Sequence, residues 1–322
     1  MRAVVQSTFG PPRDVLHLRE IERPAIKDDQ VLVRVEAASI HIGDTYAIRG
    51  LPYSMRPLFR LMGAKNRVPG TDVAGTIEAV GANVTRFEPG DAVFGSANGA
   101  FAEYVSASED LVVPRPANFD AQQASTLGVS ALTALQAIRE HGKVSAGQRV
   151  LITGASGGVG TFAVQIAKWL GADVTGVCST RNVDMVRSIG ADHVIDYTEE
   201  DFTTADRRYD LILDNVGAHS LTDTRKALAE KGVLMSNGTP ISGWFGGISF
   251  FLKTLATSVF VKQQGRPFIS WPTNDDLEML KELAEAEKIA PVIEHTFPLE
   301  RTASAVSHVA QGHAKGKTVI TT

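Results

Sequence analysis

The chain has 322 residues, 43% of them hydrophobic and 21% charged, and its formal net charge is −4. This length predicts two domains with cores of ordinary size. The negative charge argues against nucleic acid or an anionic membrane as the main partner, because either would require a basic face. The single cysteine, Cys178, cannot form an intrachain disulfide, and the first residues lack the apolar run of a signal peptide, so we expect a cytoplasmic location.

Short β-branched runs separated by glycine and proline dominate the chain up to about residue 120. The predicted strands in this part are Val31–Val35, Val73–Val80, Asp91–Phe94 and Phe101–Val105. We therefore expect a β-rich domain here.

From residue 121 onward, strands alternate with helices. A helical stretch is predicted for Ala121–His141. The elements predicted after it are the strand Arg149–Thr153, the helix Val159–Leu170, the strand Asp173–Cys178, the helix Asn182–Ile189, the strands His193–Asp196 and Leu211–Asn215, the helix Leu221–Leu228 and the strand Gly232–Ser236. This alternation predicts right-handed βαβ units and a parallel, doubly wound α/β sheet.

The last part of the chain begins after Trp271. A charged helix, Asp275–Glu287, precedes two short strand-like runs, Pro291–Phe297 and Lys317–Thr321. These runs are too short to form a third domain, and we expect them to return to the β-rich one. The predicted domains are therefore residues 1–122 with 272–322, and residues 123–271.

The most apolar stretch, Ile241–Val261, is about as long as a membrane span. It carries Lys253 near its middle and three glycines early on. A buried or interface helix is therefore favoured over a span, and we expect no stable membrane insertion.

A glycine-rich turn, Gly154–Gly160, joins a predicted strand to a predicted helix. Glycines let the backbone bend tightly and let a pyrophosphate approach bare amide groups, and the helix amino terminus adds a partial positive charge. The spacing GxxGGxG is a variant of the usual dinucleotide fingerprint, in the strand–turn–helix context that the fingerprint requires. The turn therefore predicts dinucleotide binding by Ser156, Gly157, Gly158 and Val159.

The residues after the next strand indicate which dinucleotide binds. Sites for NAD usually place Asp or Glu here, about twenty residues beyond the turn, to accept hydrogen bonds from the ribose 2′-hydroxyl. This chain has Ser179, Thr180 and Arg181 instead. The hydroxyls can donate hydrogen bonds and Arg181 can pair with a 2′-phosphate, although a solvated loop cation is the alternative for Arg181. NADPH is therefore favoured over NADH.

Further motifs lie on both sides of the turn. They are Glu78-Ala79-Val80-Gly81, Gly90-Asp91-Ala92-Val93, Gly190-Ala191-Asp192, Asp214-Asn215-Val216-Gly217 and the final Gly316-Lys317. Together with the turn they resemble, from end to end, the zinc-independent quinone oxidoreductase (zeta-crystallin-like) branch of the medium-chain dehydrogenase/reductase superfamily. The resemblance implies a GroES-like catalytic domain built from both chain ends and a Rossmann domain that binds NADP.

Zinc-dependent relatives bind their metal through a cysteine before a Gly-Asp pair and a histidine after a glycine. In this chain His41 stands at the first position and Thr71 at the second, and no third ligand is visible around Leu127–Val129. We therefore expect no metal, with His41 as a hydrogen-bonded pocket residue. Without a Lewis acid, the favoured acceptor is already electron-poor, as a quinone or an α,β-unsaturated carbonyl is.

The resemblance also implies roles for individual residues. His41, Tyr46 and Tyr53 would line the catalytic cleft, where a tyrosine or His41 could donate a proton to the reduced oxygen. The alternatives are packing for the tyrosines and a plain hydrogen bond for His41, which is often Asn in relatives. The further positions implied for the cofactor are Thr133, Tyr197, Asn215, Val216, Asn237, Gly238 and Lys317.

The segment Ser54–Arg67 departs from the family pattern by interleaving basic and apolar side chains. It is interpreted as a solvated loop with apolar anchors, and the alternative is a flexible lid beside Tyr53 that sets acceptor size or touches a membrane surface. Three functions stay open: NADPH-dependent reduction of a quinone or other activated carbonyl by hydride or single electrons, reduction of an enone or enal double bond, and non-enzymatic NADPH binding. A homodimer formed by edge-strand pairing near Pro267–Ser270 is the family expectation.

Overall fold

The computed structural model describes residues 1–57, 67–237, 263–267, 270–312 and 315–322. The chain folds into two units, the first made of Met1–Leu132 with Trp271–Thr322 and the second of Thr133–Ser270. Gly238, the apolar stretch Ile241–Val261 and most of the Ser54–Arg67 segment lie outside the described residues. Within the described ranges, no helix has both the length and the apolar character needed to cross a membrane.

The strands and helices are numbered in chain order. The strands are β1 (Arg2–Gln6), β2 (Leu16–Glu20), β3 (Gln30–Ile40), β4 (Asp72–Val80), β5 (Ala92–Ser96), β6 (Tyr104–Ser108), β7 (Val112–Pro114), β8 (Arg149–Thr153), β9 (Asp173–Cys178), β10 (His193–Asp196), β11 (Tyr209–Asp214), β12 (Leu228–Ser236), β13 (Gln264–Pro267), β14 (Ile293–Pro298) and β15 (Lys317–Thr321). The α-helices are α1 (Pro12–Val15), α2 (Ile42–Arg49), α3 (Ala121–Ser125), α4 (Leu132–Leu135), α5 (Gly158–Trp169), α6 (Val183–Ser188), α7 (Leu221–Lys226), α8 (Asn274–Glu285) and α9 (Thr302–Ala310).

The first unit is built on a mainly antiparallel sheet in the order β14-β15-β3-β4-β5-β7, with β6 also paired to β3. The long strand β3 pairs with β4 along most of its length and with β15 at its carboxyl end, where Thr318 lies opposite Ile40. Alternating β-branched residues of these strands, such as Val33 and Val73, are fully buried in the core of this unit. Strands from both ends of the chain therefore share one sheet.

The second unit contains a parallel sheet in the order β10-β9-β8-β11-β12-β13. Apolar residues of its central strands, such as Leu151 and Ile212, are fully buried, as expected for a sheet covered on both faces. The strand order reverses between β8 and β11, and doubly wound folds bind ligands at the carboxyl ends of such a pair. The predicted α/β fold class, with a β-rich and a parallel-sheet domain, is confirmed.

The predicted helical stretch Ala121–His141 is helical in the structure, but it is not one continuous α-helix. Helices α3 and α4 are separated by a π-helical turn at Leu127–Ala131, and a second π-helical turn follows at Gln136–His141. The first interruption includes a close contact that only glycine permits, because a Cβ on Gly128 would lie 2.6 Å from the carbonyl oxygen of Gly95. Helix α3 packs on β3 and β4, so the first unit extends to Leu132, past residue 122.

The strand predicted at Phe101–Val105 is also displaced, since β6 begins only at Tyr104. The fully buried Phe101 ring fills the space beside Gly70, where a Cβ would lie 2.6 Å from the ring. The Phe101 amide donates to the carbonyl of Pro69 at 3.0 Å. Phe101 therefore belongs to a packed loop that precedes the strand.

Candidate active site

The glycine turn between β8 and α5 is shaped by close backbone approach. Gly154 has a φ of 60°, in the left-handed region, and a Cβ on Gly160 would lie 2.1 Å from the Gly154 carbonyl oxygen. Gly157 is the N-cap of helix α5 and has no side chain with which to cap the first amides of the helix, those of Gly158 and Val159. These features fit a dinucleotide pyrophosphate, which binds to bare amides at a helix amino terminus.

Asn182 joins the turn to the loop that follows β9. Its side chain is 5% exposed, and Nδ2 donates to Ser156 Oγ at 3.1 Å and to Ser179 Oγ at 3.3 Å. One buried amide therefore holds two of the predicted cofactor-binding hydroxyls. Asn182 was not among the predicted cofactor residues, although its position directly after Arg181 places it in the predicted cofactor-binding loop.

Ser179, Thr180 and Arg181 are predicted to determine the preference for NADPH over NADH. They lie in and beside a short 3₁₀ turn, Thr180–Asn182, where Thr180 and Arg181 are exposed. An acid, Asp196, stands at the end of the neighbouring strand β10, opposite Cys178 of β9. Hydrogen bonds from Thr180 and Thr198 lower the pKa of Asp196, and Thr198 donates to Asp196 Oδ1 from its amide at 3.0 Å and its hydroxyl at 2.8 Å. The Asp196 carboxylate therefore already accepts hydrogen bonds from Thr180 and Thr198.

Tyr197 and Thr133 occupy contrasting surroundings within the second unit. Tyr197 follows Asp196 and exposes 59% of its surface, so its ring is open to a ligand. Thr133, in α4, exposes only 6%. Thr133 is therefore buried, whereas the ring of Tyr197 is accessible from solvent.

The carboxyl ends of β8, β11 and β12 are tied together by side-chain hydrogen bonds. Asp214 Oδ1 accepts from Thr153 Oγ1 at 2.7 Å and from the Gly217 amide at 2.9 Å. Asn237 Nδ2 donates to Asn215 Oδ1 at 2.9 Å, which brings two predicted residues together. Asp214, which the sequence analysis did not select, thus orients the loop that carries Asn215 and the 49%-exposed Val216.

In the first unit, His41 precedes helix α2 and faces Asp44. The Asp44 Oδ2 atom accepts from the His41 amide at 3.0 Å, and Asp44 Oδ1 lies 3.4 Å from His41 Nε2. Burial raises the pKa of Asp44, an effect that the neighbouring His41 opposes. His41 Nε2 is buried and makes no hydrogen bond within the described part of the chain, so it has unused capacity to donate or accept.

A buried ion pair lies in the same unit. Lys317 Nζ donates to Asp72 Oδ2 at 3.2 Å and to Ser130 Oγ at 2.9 Å, and Ser39 Oγ donates to Asp72 Oδ2 at 2.6 Å. Lys317 is 1% exposed and Asp72 is 0% exposed. Lys317 therefore pairs with a buried carboxylate inside the first unit, and its contact with the cofactor stays a prediction.

The two tyrosines predicted to act in catalysis differ in their surroundings. Tyr46 lies in α2, and burial raises the pKa of its phenol, with Arg49 opposing the effect. Tyr53 lies in a 3₁₀ turn at Tyr53–Met55, and the Arg56 guanidinium stands 4.5 Å from its ring centroid. Tyr46 therefore keeps its proton at neutral pH, whereas Tyr53 is part of an exposed cation–π pair.

Two family models match the chain, Alcohol dehydrogenase GroES-like domain over residues 27–117 and Zinc-binding dehydrogenase over residues 189–320. The chain is 34% identical to the chloroplastic quinone-oxidoreductase homolog of Spinacia oleracea, over 99% of this chain and 98% of that one. It is 32% identical to the chloroplastic NADPH-dependent alkenal/one oxidoreductase of Arabidopsis thaliana, over 99% of this chain and 79% of the relative. The structure of the quinone oxidoreductase from Coxiella burnetii superposes with a TM-score of 0.89 at 29% identity, over 100% of this chain and 99% of that one.

The parallel-sheet unit with its phosphate turn and the β-rich unit with its buried polar cluster define a two-domain oxidoreductase that uses a nicotinamide dinucleotide. The chain belongs to the medium-chain dehydrogenase/reductase family, among relatives named quinone oxidoreductase. The family resemblance inferred from the sequence motifs is thus confirmed.

Proposed function

We propose that the protein is an NADPH-dependent, zinc-independent reductase that transfers hydride, or single electrons, to a quinone or another activated carbonyl. The observation that carries the proposal is the carboxyl end of β9. Ser179, Thr180 and Arg181 stand there where NAD sites place an acid, and the neighbouring Asp196 is engaged by Thr180 and Thr198. A 2′-phosphate could thus accept a hydrogen bond from the Ser179 hydroxyl and pair with the Arg181 guanidinium, while the Asp196 carboxylate accepts hydrogen bonds from its own neighbours.

Zinc independence is supported by the chemistry of the first unit. Thr71 offers no imidazole where a histidine ligand would stand, and the nearest carboxylate, Asp72, is bonded to Ser39 and to the Lys317 ammonium. A divalent cation on Asp72 would face that ammonium in a buried setting, where like charges repel strongly. The acceptor must therefore be activated by its own structure, as a quinone or an enone is.

The chain's own residues would bind the dinucleotide, orient its nicotinamide and donate a proton to the acceptor. The bound nicotinamide supplies the hydride. The turn around Gly157 and the Ser156–Asn182–Ser179 bridge would fix the phosphates, and Asn215 and Val216 would border the dinucleotide at the switch point. Tyr46 holds its proton because burial raises its pKa, and His41 Nε2 has an unused position. Either group would donate a proton to the reduced oxygen.

Reduction of an enone or enal double bond is the second candidate. It is supported by the relative named NADPH-dependent alkenal/one oxidoreductase and by the protonated Tyr46, because this reaction needs a proton delivered to carbon. Tyr46→Phe should lower kcat by about 10²-fold with an enone if Tyr46 is the donor, and much less with a quinone. Tyr104→Phe is the matched control, since Tyr104 bonds to Arg23 outside the candidate site.

The deciding experiment measures oxidation of NADPH and of NADH with a panel of quinones and enones. We expect turnover with a quinone and a clear preference for NADPH in kcat/KM. Comparable efficiency with NADH would refute the cofactor proposal. Binding of NADPH without turnover of any acceptor would instead support a non-enzymatic role.

The proposed location is the cytoplasm and the proposed assembly is a homodimer. A cytoplasmic location is supported by a single, buried Cys178, which suits a reducing compartment, and fractionation tests it against the chloroplastic and mitochondrial relatives. A homodimer is supported by β13, which ends at Pro267 on the edge of the described sheet. Sedimentation equilibrium would give the mass of the assembly.

A further inference from the structure

A second group of polar side chains lies in the first unit, away from the residues discussed so far. Glu294 and His295 on β14 and His308 on α9 place a carboxylate oxygen and two imidazole nitrogens within 4.8 Å of one another. His308 Nε2 lies 2.9 Å from Glu294 Oε2, and the His295 and His308 ring centroids are 4.9 Å apart. Among the described residues, this is the one set of three such side chains that converges in this way.

The donor set suits a borderline divalent metal ion. Imidazole is a good ligand for zinc, nickel and copper, and a carboxylate adds the charge that favours a cation. Two ligand atoms at right angles, each about 2.1 Å from a metal, stand about 3.0 Å apart. The 2.9 Å between His308 Nε2 and Glu294 Oε2 is a hydrogen-bond distance that is also close to the octahedral spacing, and a tetrahedral zinc ion would need the two atoms to separate by roughly 0.5 Å. Three protein ligands would leave the remaining positions to water.

The residues around the site orient the Glu294 carboxylate and leave the site accessible to an ion from solvent. The Lys315 amide donates to Glu294 Oε2 at 2.9 Å, which fixes the orientation of the carboxylate. His295 is exposed, so an ion can reach the set from solvent.

We propose that Glu294, His295 and His308 form a binding site for a divalent first-row transition metal ion of the zinc and nickel class, separate from the residues of the proposed reductase site. The ion would replace the hydrogen that His308 and Glu294 share and would link strand β14 to helix α9. The site would therefore act on the stability of the first unit. This inference does not depend on the proposed function.

Calorimetric titration of the full chain with Zn²⁺, Ni²⁺ and Mg²⁺ tests the site. We expect one equivalent of Zn²⁺ or Ni²⁺ to bind and to raise the melting temperature, with no binding of Mg²⁺, which prefers oxygen ligands. His295→Ala and His308→Ala should each weaken Zn²⁺ binding by about 10- to 100-fold. Because His295 is exposed, its variant keeps the test valid if His308→Ala does not fold. His17→Ala, another exposed histidine of this unit, is the control and should bind as the wild type does.

The outcomes separate this site from the candidate active site. Equal Zn²⁺ affinity in the wild type and in both histidine variants would overturn the proposal. Loss of the bound ion in His41→Ala, with binding retained in His295→Ala, would also overturn it and would contradict zinc independence at the same time. Loss in His295→Ala with NADPH turnover unchanged would support it.

Discussion

The two units differ in where their functional or charged side chains lie, exposed at the candidate site of the second unit and buried as an ion pair in the first. In the second unit the candidate site lies at open strand ends, where Arg181, Tyr197 and Val216 are exposed and hydrogen bonds from hydroxyl and amide groups position the loops. In the first unit Asp72 and Lys317 are buried and neutralise each other. The difference indicates that the second unit is completed by a charged ligand, whereas the first carries its own counter-charge permanently. Substitutions in the first unit should therefore change stability most, and those in the second should change affinity.

The largest effect is expected for Lys317→Ala. Removing the ammonium leaves the Asp72 carboxylate buried without its cation, which should cost about 3–5 kcal/mol of the free energy of unfolding. Lys168→Ala in the second unit is the matched control, because it breaks a pair with Asp192 in which the lysine is 46% exposed, and should cost about 0–1 kcal/mol. Urea unfolding measures both. Similar small losses in the two variants would remove the distinction between the units.

The next effect concerns affinity in the second unit. Arg181→Ala should raise the Kd of NADPH about tenfold, the loss of one charge-assisted contact to a phosphate, and leave the Kd of NADH unchanged. Fluorescence titration of the reduced cofactor measures both constants. Arg187→Ala is the control, since this exposed arginine lies on α6 and pairs with Asp184. An unchanged NADPH constant in Arg181→Ala would contradict the assignment of the 2′-phosphate contact.

A smaller effect is expected at the buried amide that joins the turn to the β9 loop. Asn182→Ala removes two hydrogen bonds to serine hydroxyls, each worth about 1 kcal/mol or less, and should weaken NADPH binding several-fold. Asn182→Asp keeps the size but adds a negative charge beside the same hydroxyls, so it should weaken NADPH binding more than NADH binding. Equal weakening of the two cofactors would show that the residue positions the loop without sensing the extra phosphate.

The smallest effect is a pH dependence in the first unit. Burial raises the pKa of Asp44 while His41 opposes the effect, so the folded protein binds this proton more tightly than the unfolded chain does. Its contribution to stability is present below the ordinary aspartate pKa of about 3.9 and is lost as pH rises through the raised value. Asp44→Asn should remove this decline, measured as unfolding free energy against pH. Asp14→Asn, at an exposed aspartate, should keep the wild-type profile.

Features set by local sequence were predicted well. Strands β8, β9, β10 and β15 have the predicted bounds, because each is a short β-branched run between clear turn signals. The phosphate turn was found because glycine spacing reports a backbone requirement directly, and the close approach of Gly160 to Gly154 shows that requirement. The fold class follows from the alternation of such elements.

Features set by distant contacts were not predicted. The buried contacts of Lys317 could not be read from the sequence, because its partners, Asp72 and Ser130, lie far away along the chain and meet it only through the pairing of β15 with β3. The π-helical turns within the Ala121–His141 helical stretch, where Gly128 packs closely against Gly95, were not predicted either, because helical periodicity does not report them. Asn182 was missed for the same reason, since its value depends on reaching Ser156 across the turn.

The return of β15 to β3 has a consequence for how the protein is made. On the ribosome, β3 emerges early, but β15, which covers its edge, emerges much later, and Lys317 follows Asp72 by 245 positions. The described strands of the second unit precede Lys317 in the chain, so this unit can fold while translation continues. A premature stop ahead of Lys317 would therefore release a polypeptide in which β3 has an unpaired edge and the Asp72 carboxylate lacks its cation.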